Sequence, residues 1–181
     1  MLSLRFHPLS APVSTQWDLY SSLTRIPLTL TVGEPPAVAD RLYCRNHDEG
    51  RSLLEFYFDR STLVLQEFVI VMLAGPLTQP FPPPVVYDPN AYHQCQLVEP
   101  NTPLAAVPLH LYAAADYVVL HAPEIGQALT YYQVGRNFLL GATSHGHLAA
   151  IALTGLSPEA LKKGPAFSPA KRYWRKRALF T

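Results

Sequence analysis

The chain has 181 residues, of which 49% are hydrophobic and only 15% charged, a composition that excludes a disordered protein and suits one domain with a buried core. Its 18 prolines exclude long helices, because proline fits neither helix interiors nor central strands. Charge is unevenly divided: residues 1–161 hold seven basic and thirteen acidic residues, giving −6, whereas residues 162–181 hold seven basic and no acidic residues, giving +7. The sequence therefore predicts a single acidic domain, 1–161, followed by a basic C-terminal tail, 162–181, and charged partners rather than small-molecule chemistry.

The predicted location is the cytoplasm. The first residues lack the charged lead and apolar stretch of a secretion signal. The longest apolar run, Phe68–Ala74, is far shorter than the roughly 20 residues that cross a bilayer, so no membrane association is expected. Two cysteines are too few for a disulfide framework, and reduced thiols are the simplest interpretation.

The first part of the chain is dominated by alternating, strand-like patterns. Leu2–Phe6 and Leu28–Val32 both alternate apolar with polar residues and predict strands. Between them, Ser14–Leu23 is compatible with a short helix that turns Trp17 and Tyr20 inward, or with a strand. The pattern does not decide between these two.

A β-hairpin is predicted over residues 54–73. Leu54–Asp59 places three apolar side chains on one face and Glu55, Tyr57 and Asp59 on the other, as in a strand buried on one side. The turn residues 59–62 follow, and Leu63–Leu73 returns as a strand whose middle is apolar on both faces. This return strand is therefore expected at the centre of a sheet.

The second half of the chain predicts further strands after a proline-rich loop. Residues 76–90 form the loop, and residues 91–106 show no clear period. Strands are expected at residues 109–112, 117–120, 129–134, 138–142 and 147–153, with a glycine-containing turn at 143–146. Ser157 and Pro158 open a short predicted helix. The predicted fold class is α+β, a mainly antiparallel β-sheet with β-hairpins and one or two short helices.

No catalytic or cofactor-binding motif accompanies these elements. The chain lacks a Gly-x-Ser-x-Gly elbow, a phosphate-binding loop and a dinucleotide fingerprint, so neither an enzyme nor a cofactor is expected. Four potential metal ligands are Cys44, His47, His93 and Cys95, which would form a zinc site only if they converged. Because 46 positions separate the two pairs, two unrelated thiols and two unrelated imidazoles are the preferred interpretation.

The basic tail offers one possible function. It combines cations with two aromatic rings, a composition that neutralises phosphates and stacks on bases. The alternative function of the chain is therefore nucleic-acid binding through Lys171, Arg172, Tyr173, Trp174, Arg175, Lys176 and Arg177.

The acidic domain offers the preferred function, which is protein binding. Tyrosines lie close to carboxylates along the chain, and this combination gives rigid contact area together with charges that speed encounter. Asp48 and Glu49 are expected in a turn, and Asp88 in the proline-rich loop. The predicted partner-binding residues are Tyr43, Asp48, Glu49, Tyr57, Asp59, Tyr87, Asp88 and Tyr92.

Two segments, one beginning at Gly50 and the other at Asn137, resemble parts of bacterial immunity proteins. The first is Gly50–Asp59 followed by Leu63–Leu73, which is similar to the Ser-Leu-Glu-Phe strand that recurs in these proteins. The second runs from Asn137–Gly141 through Ser144–Leu148 to Gly155–Glu159, which is similar to their strand ending in Gly-Leu-Ser-x-Glu. The resemblance implies a cytoplasmic, non-catalytic protein that binds and blocks a toxin effector. Its acidic loops would then mimic the negatively charged substrate of that toxin, and the basic tail departs from the pattern.

Overall fold

The computed structural model of the protein describes residues 2–18, 28–33, 40–48, 52–72, 83–86, 88, 90–100, 108–114, 116–125 and 129–155. These residues form twelve β-strands in two sheets. The strands, in chain order, are β1 (Leu4–Leu9), β2 (Thr15–Asp18), β3 (Leu28–Val32), β4 (Arg41–Asp48), β5 (Ser52–Asp59), β6 (Leu65–Met72), β7 (Tyr92–Leu97), β8 (His110–Ala113), β9 (Tyr117–His121), β10 (Thr130–Gly135), β11 (Phe138–Ala142) and β12 (Leu148–Thr154).

The smaller sheet has five antiparallel strands in the order β2-β3-β6-β5-β4. The predicted hairpin is confirmed as β5 and β6, and β6 occupies the central position that its apolar middle predicts. The alternation in β5 is also confirmed, since Leu54, Phe56 and Phe58 are buried while the residues between them are partly exposed.

The larger sheet has seven strands in the order β1-β7-β10-β11-β12-β9-β8. Its pairings are antiparallel except for one parallel contact, in which Gln133 of β10 lies beside Tyr92 of β7. The second predicted hairpin is confirmed as β11 and β12, whose residues are buried almost throughout because both strands lie in the middle of the sheet.

Both sheets contribute to one hydrophobic core. Phe68 of β6 links them, because its ring centroid lies 5.0 Å from that of Phe56 and 5.9 Å from that of Phe138 on the larger sheet. Aromatic pairs at this spacing add to the stability that comes from removing the rings from water. The sheets are also joined by their backbones, since the Leu97 amide donates a 2.8 Å hydrogen bond to the Leu63 carbonyl beside the start of β6.

The structure confirms the mainly antiparallel β architecture and corrects parts of the helix prediction. Residues 15–18 of the segment 14–23 form strand β2, paired with β3, so the helical alternative is wrong for them. Pairing with a neighbouring strand decides this segment, whose short pattern fits both periods. Among the residues described, Pro123–Ile125 forms a 3-10 turn. The helix predicted from Ser157, like the basic tail, lies outside them.

Two strands that the sequence pattern did not predict are β4 and β7. Residues 92–97, within the stretch that shows no clear period, form β7 between β1 and β10. Asp48, predicted in a turn, is instead the last residue of β4, where it pairs with Ser52 of β5. The structure therefore extends the first hairpin into a three-stranded unit, β4-β5-β6, and this unit positions the candidate site.

Candidate functional site

The outer face of β4, β5 and β6 gathers polar and aromatic side chains that lie far apart in sequence. Tyr43 lies opposite Tyr57 across β4 and β5, and Tyr57 lies opposite Glu67 across β5 and β6. Because side chains alternate between the two faces of a strand, these residues share the face that points away from the core. We call this surface the tyrosine face and define it by Arg41, Tyr43, Arg45, Glu55, Tyr57 and Glu67.

Glu55 is the centre of the tyrosine face. Its Oε1 accepts a hydrogen bond of 2.7 Å from the Tyr43 hydroxyl and one of 3.0 Å from Arg45 Nη2. Its Oε2 accepts a bond of 2.9 Å from the Tyr57 hydroxyl. Burial acts to raise the pKa of this carboxyl, but hydrogen bonds from the two tyrosines and from Arg45 outweigh it, and the pKa is lowered.

The two tyrosines act as hydrogen-bond donors. Burial, followed by the bond to Glu55, raises the pKa of Tyr43 and of Tyr57 to about 12, so both hydroxyls keep their protons throughout the physiological range. The Tyr43 hydroxyl also accepts a short hydrogen bond from Arg45 Nε. The ring centroids of the two tyrosines are 5.2 Å apart. Tyr43 remains 41% exposed and is available to another molecule.

Two arginines complete the tyrosine face. Arg41 Nη1 forms an ion pair of 2.8 Å with Glu67 Oε2, and its guanidinium carbon lies 5.6 Å from the centre of the Tyr57 ring. The guanidinium carbon of Arg45 lies 5.2 Å from the centre of the Tyr43 ring. Both distances are within the range of cation–π contacts. The arginines therefore pair with the carboxylates and also contact the rings.

Asp59 serves the predicted turn 59–62 rather than the surface available to a partner. Its Oδ1 accepts hydrogen bonds from the backbone amides of Ser61 and Thr62, at 3.0 and 2.7 Å, and from both their hydroxyls. These bonds lower the pKa of the Asp59 carboxyl to about 2. The residue predicted to bind a partner thus stabilises the turn between β5 and β6, as aspartate commonly does at turns.

The other predicted partner-binding residues do not join the tyrosine face. Tyr92 lies on β7 of the larger sheet, opposite Leu9. Asp88 Oδ1 accepts a 2.9 Å hydrogen bond from the Asn90 amide. Asp48 ends β4, whereas Glu49 and Tyr87 lie outside the residues described. Of the eight predicted residues, the structure brings Tyr43 and Tyr57 together.

The predicted partner-binding residues did not include the two arginines or the two glutamates of the tyrosine face. Glu55 was expected on the outer face of the hairpin, and Glu67 lies diagonally from it on the same face, since Glu67 is opposite Tyr57. The arginines carried a usable signal, because Arg41, Tyr43 and Arg45 alternate with less polar residues in the manner of a strand buried on one side. Strand β4 could have been predicted from this alternation.

The four potential metal ligands are spread over two sheets. Cys44 on β4 and Cys95 on β7 are free thiols in the shared core, and burial raises the pKa of both. The ring centroids of His93 and Tyr132 lie 5.2 Å apart, and the two rings are nearly perpendicular. In the part of the chain that the structure describes, no three histidine, cysteine or acidic side chains are grouped as a metal site would require.

Comparison with known proteins returns no family model and no curated relative that matches this chain. Among the residues described, no helix has both the length and the apolar character that spanning a bilayer requires.

Proposed function

We propose that this chain is a non-catalytic protein-binding module, an immunity protein that binds and occludes a cognate bacterial toxin. The observation that carries the proposal is the tyrosine face, where two tyrosines and two arginines are held by hydrogen bonds and ion pairs around two carboxylates. Tyrosine and arginine are enriched at protein interfaces and among the residues that contribute most binding energy. The resemblance of the β5–β6 segment to immunity proteins supports the same function.

The tyrosine face suits docking because its side chains are ordered before a partner arrives. Each immobilised side chain at an interface otherwise costs about 0.5–1.5 kcal/mol of conformational free energy on binding. Tyr43 and Arg45 are both hydrogen-bonded, yet Tyr43 is 41% exposed and the Arg45 side chain 53% exposed. A partner could therefore contact them without having to order them.

The paired charges alter the expected mechanism. Mimicry of an anionic substrate by the tyrosine face would require unpaired carboxylates, but Glu55 is bound by Arg45 and Glu67 by Arg41. Recognition through this face would instead use ring contacts and directed hydrogen bonds. Inhibition would follow from the area that the sheet covers on the toxin, with the charged groups improving specificity more than affinity.

Co-expression with the product of the adjacent reading frame tests the proposal. We expect a complex on affinity capture and protection of cells from that product. Tyr43→Ala should weaken both, because it removes the most exposed ring of the tyrosine face. Val98→Ala is the matched control, since Val98 is also 41% exposed but lies beyond the end of β7 on the larger sheet. Absence of a complex, or equal effects of the two substitutions, would contradict the proposal.

Nucleic-acid binding is a second candidate because the basic charge is concentrated in residues 162–181. Seven cations that each contact a phosphate would give a salt dependence with a slope near −5 for single strands, from about −0.7 per contact. Fluorescence anisotropy with a single-stranded RNA or DNA oligonucleotide measures this slope. Deleting residues 162–181 should abolish such binding and leave the toxin complex intact. Salt-independent or absent binding by the full chain would remove this candidate.

A further inference from the structure

A pocket of about 170 Å³ lies between the two sheets, beside the start of β6. Its apolar wall comes from both sheets, with Val32 at the end of β3, Val64 just before β6 and Val134 on β10. Val13, in the link between β1 and β2, also lines it. A cavity of about 150 Å³ with apolar walls holds benzene, so this space suits a molecule with one ring.

Two polar side chains line the same pocket, Gln66 on β6 and His93 on β7. Each has a buried polar atom, which is Oε1 in Gln66 and Nδ1 in His93. Among the residues described, neither atom has a hydrogen-bond partner. Because buried polar atoms are nearly always hydrogen-bonded, two such atoms on the wall of one pocket indicate a ligand with a complementary polar group.

A single hydroxyl group would complement both atoms. A hydroxyl donates one hydrogen bond and also accepts. It would donate to Gln66 Oε1 and accept from His93 Nδ1 when the imidazole proton is on that nitrogen. No lysine, arginine, aspartate or glutamate is among the described residues of the pocket, so a charged ligand would be buried without a countercharge. The pocket therefore favours an uncharged ligand.

The His93 ring is held in place by aromatic neighbours on the larger sheet. It stands nearly perpendicular to the Tyr132 ring, and the Tyr132 ring is stacked on Phe6 with centroids 3.9 Å apart. Ordering a side chain on binding costs conformational free energy, and a ring that is already packed avoids most of this cost. His93 thus offers a preorganised polar group at the pocket.

We propose that the pocket between the sheets binds an uncharged molecule of the phenol class, with one ring and one hydroxyl group. The ring lies against Val32 and Val134, and the hydroxyl bridges Gln66 Oε1 and His93 Nδ1. Binding at this site does not depend on the proposed protein-binding function, because the tyrosine face lies on the opposite side of the smaller sheet.

Three small molecules test the site on the full chain: p-cresol, toluene and the methyl ether of p-cresol. Isothermal titration calorimetry should give a Kd for p-cresol below about 1 mM and about tenfold below that for toluene, the effect of one net hydrogen bond. The methyl ether has no hydroxyl proton to donate and should bind no more tightly than toluene. Nuclear Overhauser effects should connect p-cresol to the Val32 and Val134 methyl groups. Equal affinities for p-cresol and toluene, no saturable binding, or contacts elsewhere would overturn the inference.

Substitution of the two polar residues tests the role of the hydroxyl. Gln66→Leu and His93→Phe should each reduce the preference for p-cresol over toluene to about threefold or less, and the double variant should abolish it. Phenylalanine at position 93 retains a ring to contact Tyr132. Gln16→Leu is the matched control, since Gln16 is an exposed glutamine on β2 and should leave the preference unchanged. A preference that survives in the double variant, or that Gln16→Leu reduces equally, would overturn the inference.

Filling the pocket provides an independent test. Val13→Phe should abolish binding of both p-cresol and toluene, because the larger ring takes up the space of the ligand. Val85→Phe is the matched control, since Val85 is 68% exposed and should leave both affinities unchanged. Unchanged binding in Val13→Phe would place the molecules elsewhere and overturn the inference. If Val13→Phe folds poorly, the two polar substitutions still decide, because toluene binding reports whether the pocket is intact in those variants.

Discussion

The hairpins β5–β6 and β11–β12 have the same connectivity but different surroundings. In β5 and β6, buried residues alternate with partly exposed ones along most of β5, and the exposed side carries the tyrosine face. In β11 and β12, residues on both faces are buried, including the small side chains Ala150 and Ala152. A strand with one solvent-facing side can bind a partner without disturbing the core. The surface proposed for docking therefore lies on the first hairpin, whereas the second hairpin is part of the buried core.

The polar side chains of the two hairpins also differ in what they contact. On the first hairpin they form an ordered network on the surface, centred on Glu55. At the tip of the second they close the turn, where Thr143 Oγ1 accepts hydrogen bonds from the His145 and His147 amides at 3.3 and 3.2 Å. His147 Nδ1 also lies 3.2 Å from the Ser3 hydroxyl. The contacts at the turn of the β11–β12 hairpin thus connect this hairpin to the N-terminal residues of the chain.

Phe68→Ala should have the largest effect, because this side chain joins the cores of the two sheets. Phe68 is fully buried, and truncating such a phenylalanine typically costs about 3–5 kcal/mol of the free energy of unfolding. Urea denaturation followed by circular dichroism measures the loss. Val85→Ala is the control, since Val85 is 68% exposed and its truncation should change stability by less than about 0.5 kcal/mol. Similar losses for both variants would contradict the shared core.

Gly146→Ala should have the next largest effect and should act on the second hairpin. Gly146 has a φ of 78°, and a Cβ there would lie 2.6 Å from the Leu4 carbonyl oxygen. The left-handed conformation alone costs a residue with a side chain about 1–2 kcal/mol, and the close approach adds to it. Asn137→Gly is the control, because Asn137 has a φ of 65° and glycine adopts that conformation without strain. Thermal unfolding should show a lower midpoint for Gly146→Ala only.

Strands with a strong local pattern could be predicted from the sequence, and strands defined by their neighbours could not. Strand β5 alternates clearly and was predicted with its buried face, and β6 was predicted at the sheet centre. Strand β7 was missed, because its side chains are partly buried at successive positions and give no simple period. Residues 15–18 fit a helix or a strand equally well, and only pairing with β3 settles the matter.

The candidate site was less predictable for a related reason. Proximity in sequence brought carboxylates and tyrosines together as candidates, but strand pairing decides which of them meet. Tyr43 and Tyr57 are fourteen positions apart and directly opposite in register, whereas Asp59 is used within its own turn. The arginines could not be identified from net charge, because the domain is acidic overall and its few cations are paired with carboxylates only through strand pairing.

Glu55→Gln should destabilise the first hairpin moderately. The substitution keeps the shape of the side chain but removes the charge that Tyr43, Tyr57 and Arg45 recognise. Hydrogen bonds to a charged group contribute about 1.5–3 kcal/mol when well formed, and partial exposure of this face reduces the expected loss to about 1–2 kcal/mol. The double variant Glu55→Gln, Tyr57→Phe should lose less free energy of unfolding than the sum of the two single variants, because both changes act on the same hydrogen bond between Tyr57 and Glu55. Additive losses would show that the network is not coupled.

Asp59→Asn should have the smallest effect at neutral pH and a distinct effect in acid. The asparagine side chain retains an oxygen that can accept the bonds from Ser61 and Thr62, but it does not titrate. Because the pKa of Asp59 falls from an unfolded value of 3.8 to about 2 in the folded chain, its charge contributes stability that is fully present above pH 3.8 and is lost as the pH falls through about 2. Urea midpoints measured from pH 5 to pH 2 should therefore decline more steeply for the natural chain than for Asp59→Asn. Parallel declines would mean that the Asp59 carboxylate does not accept these hydrogen bonds in solution. The turn between β5 and β6 would then not contribute to the order of the adjoining tyrosine face.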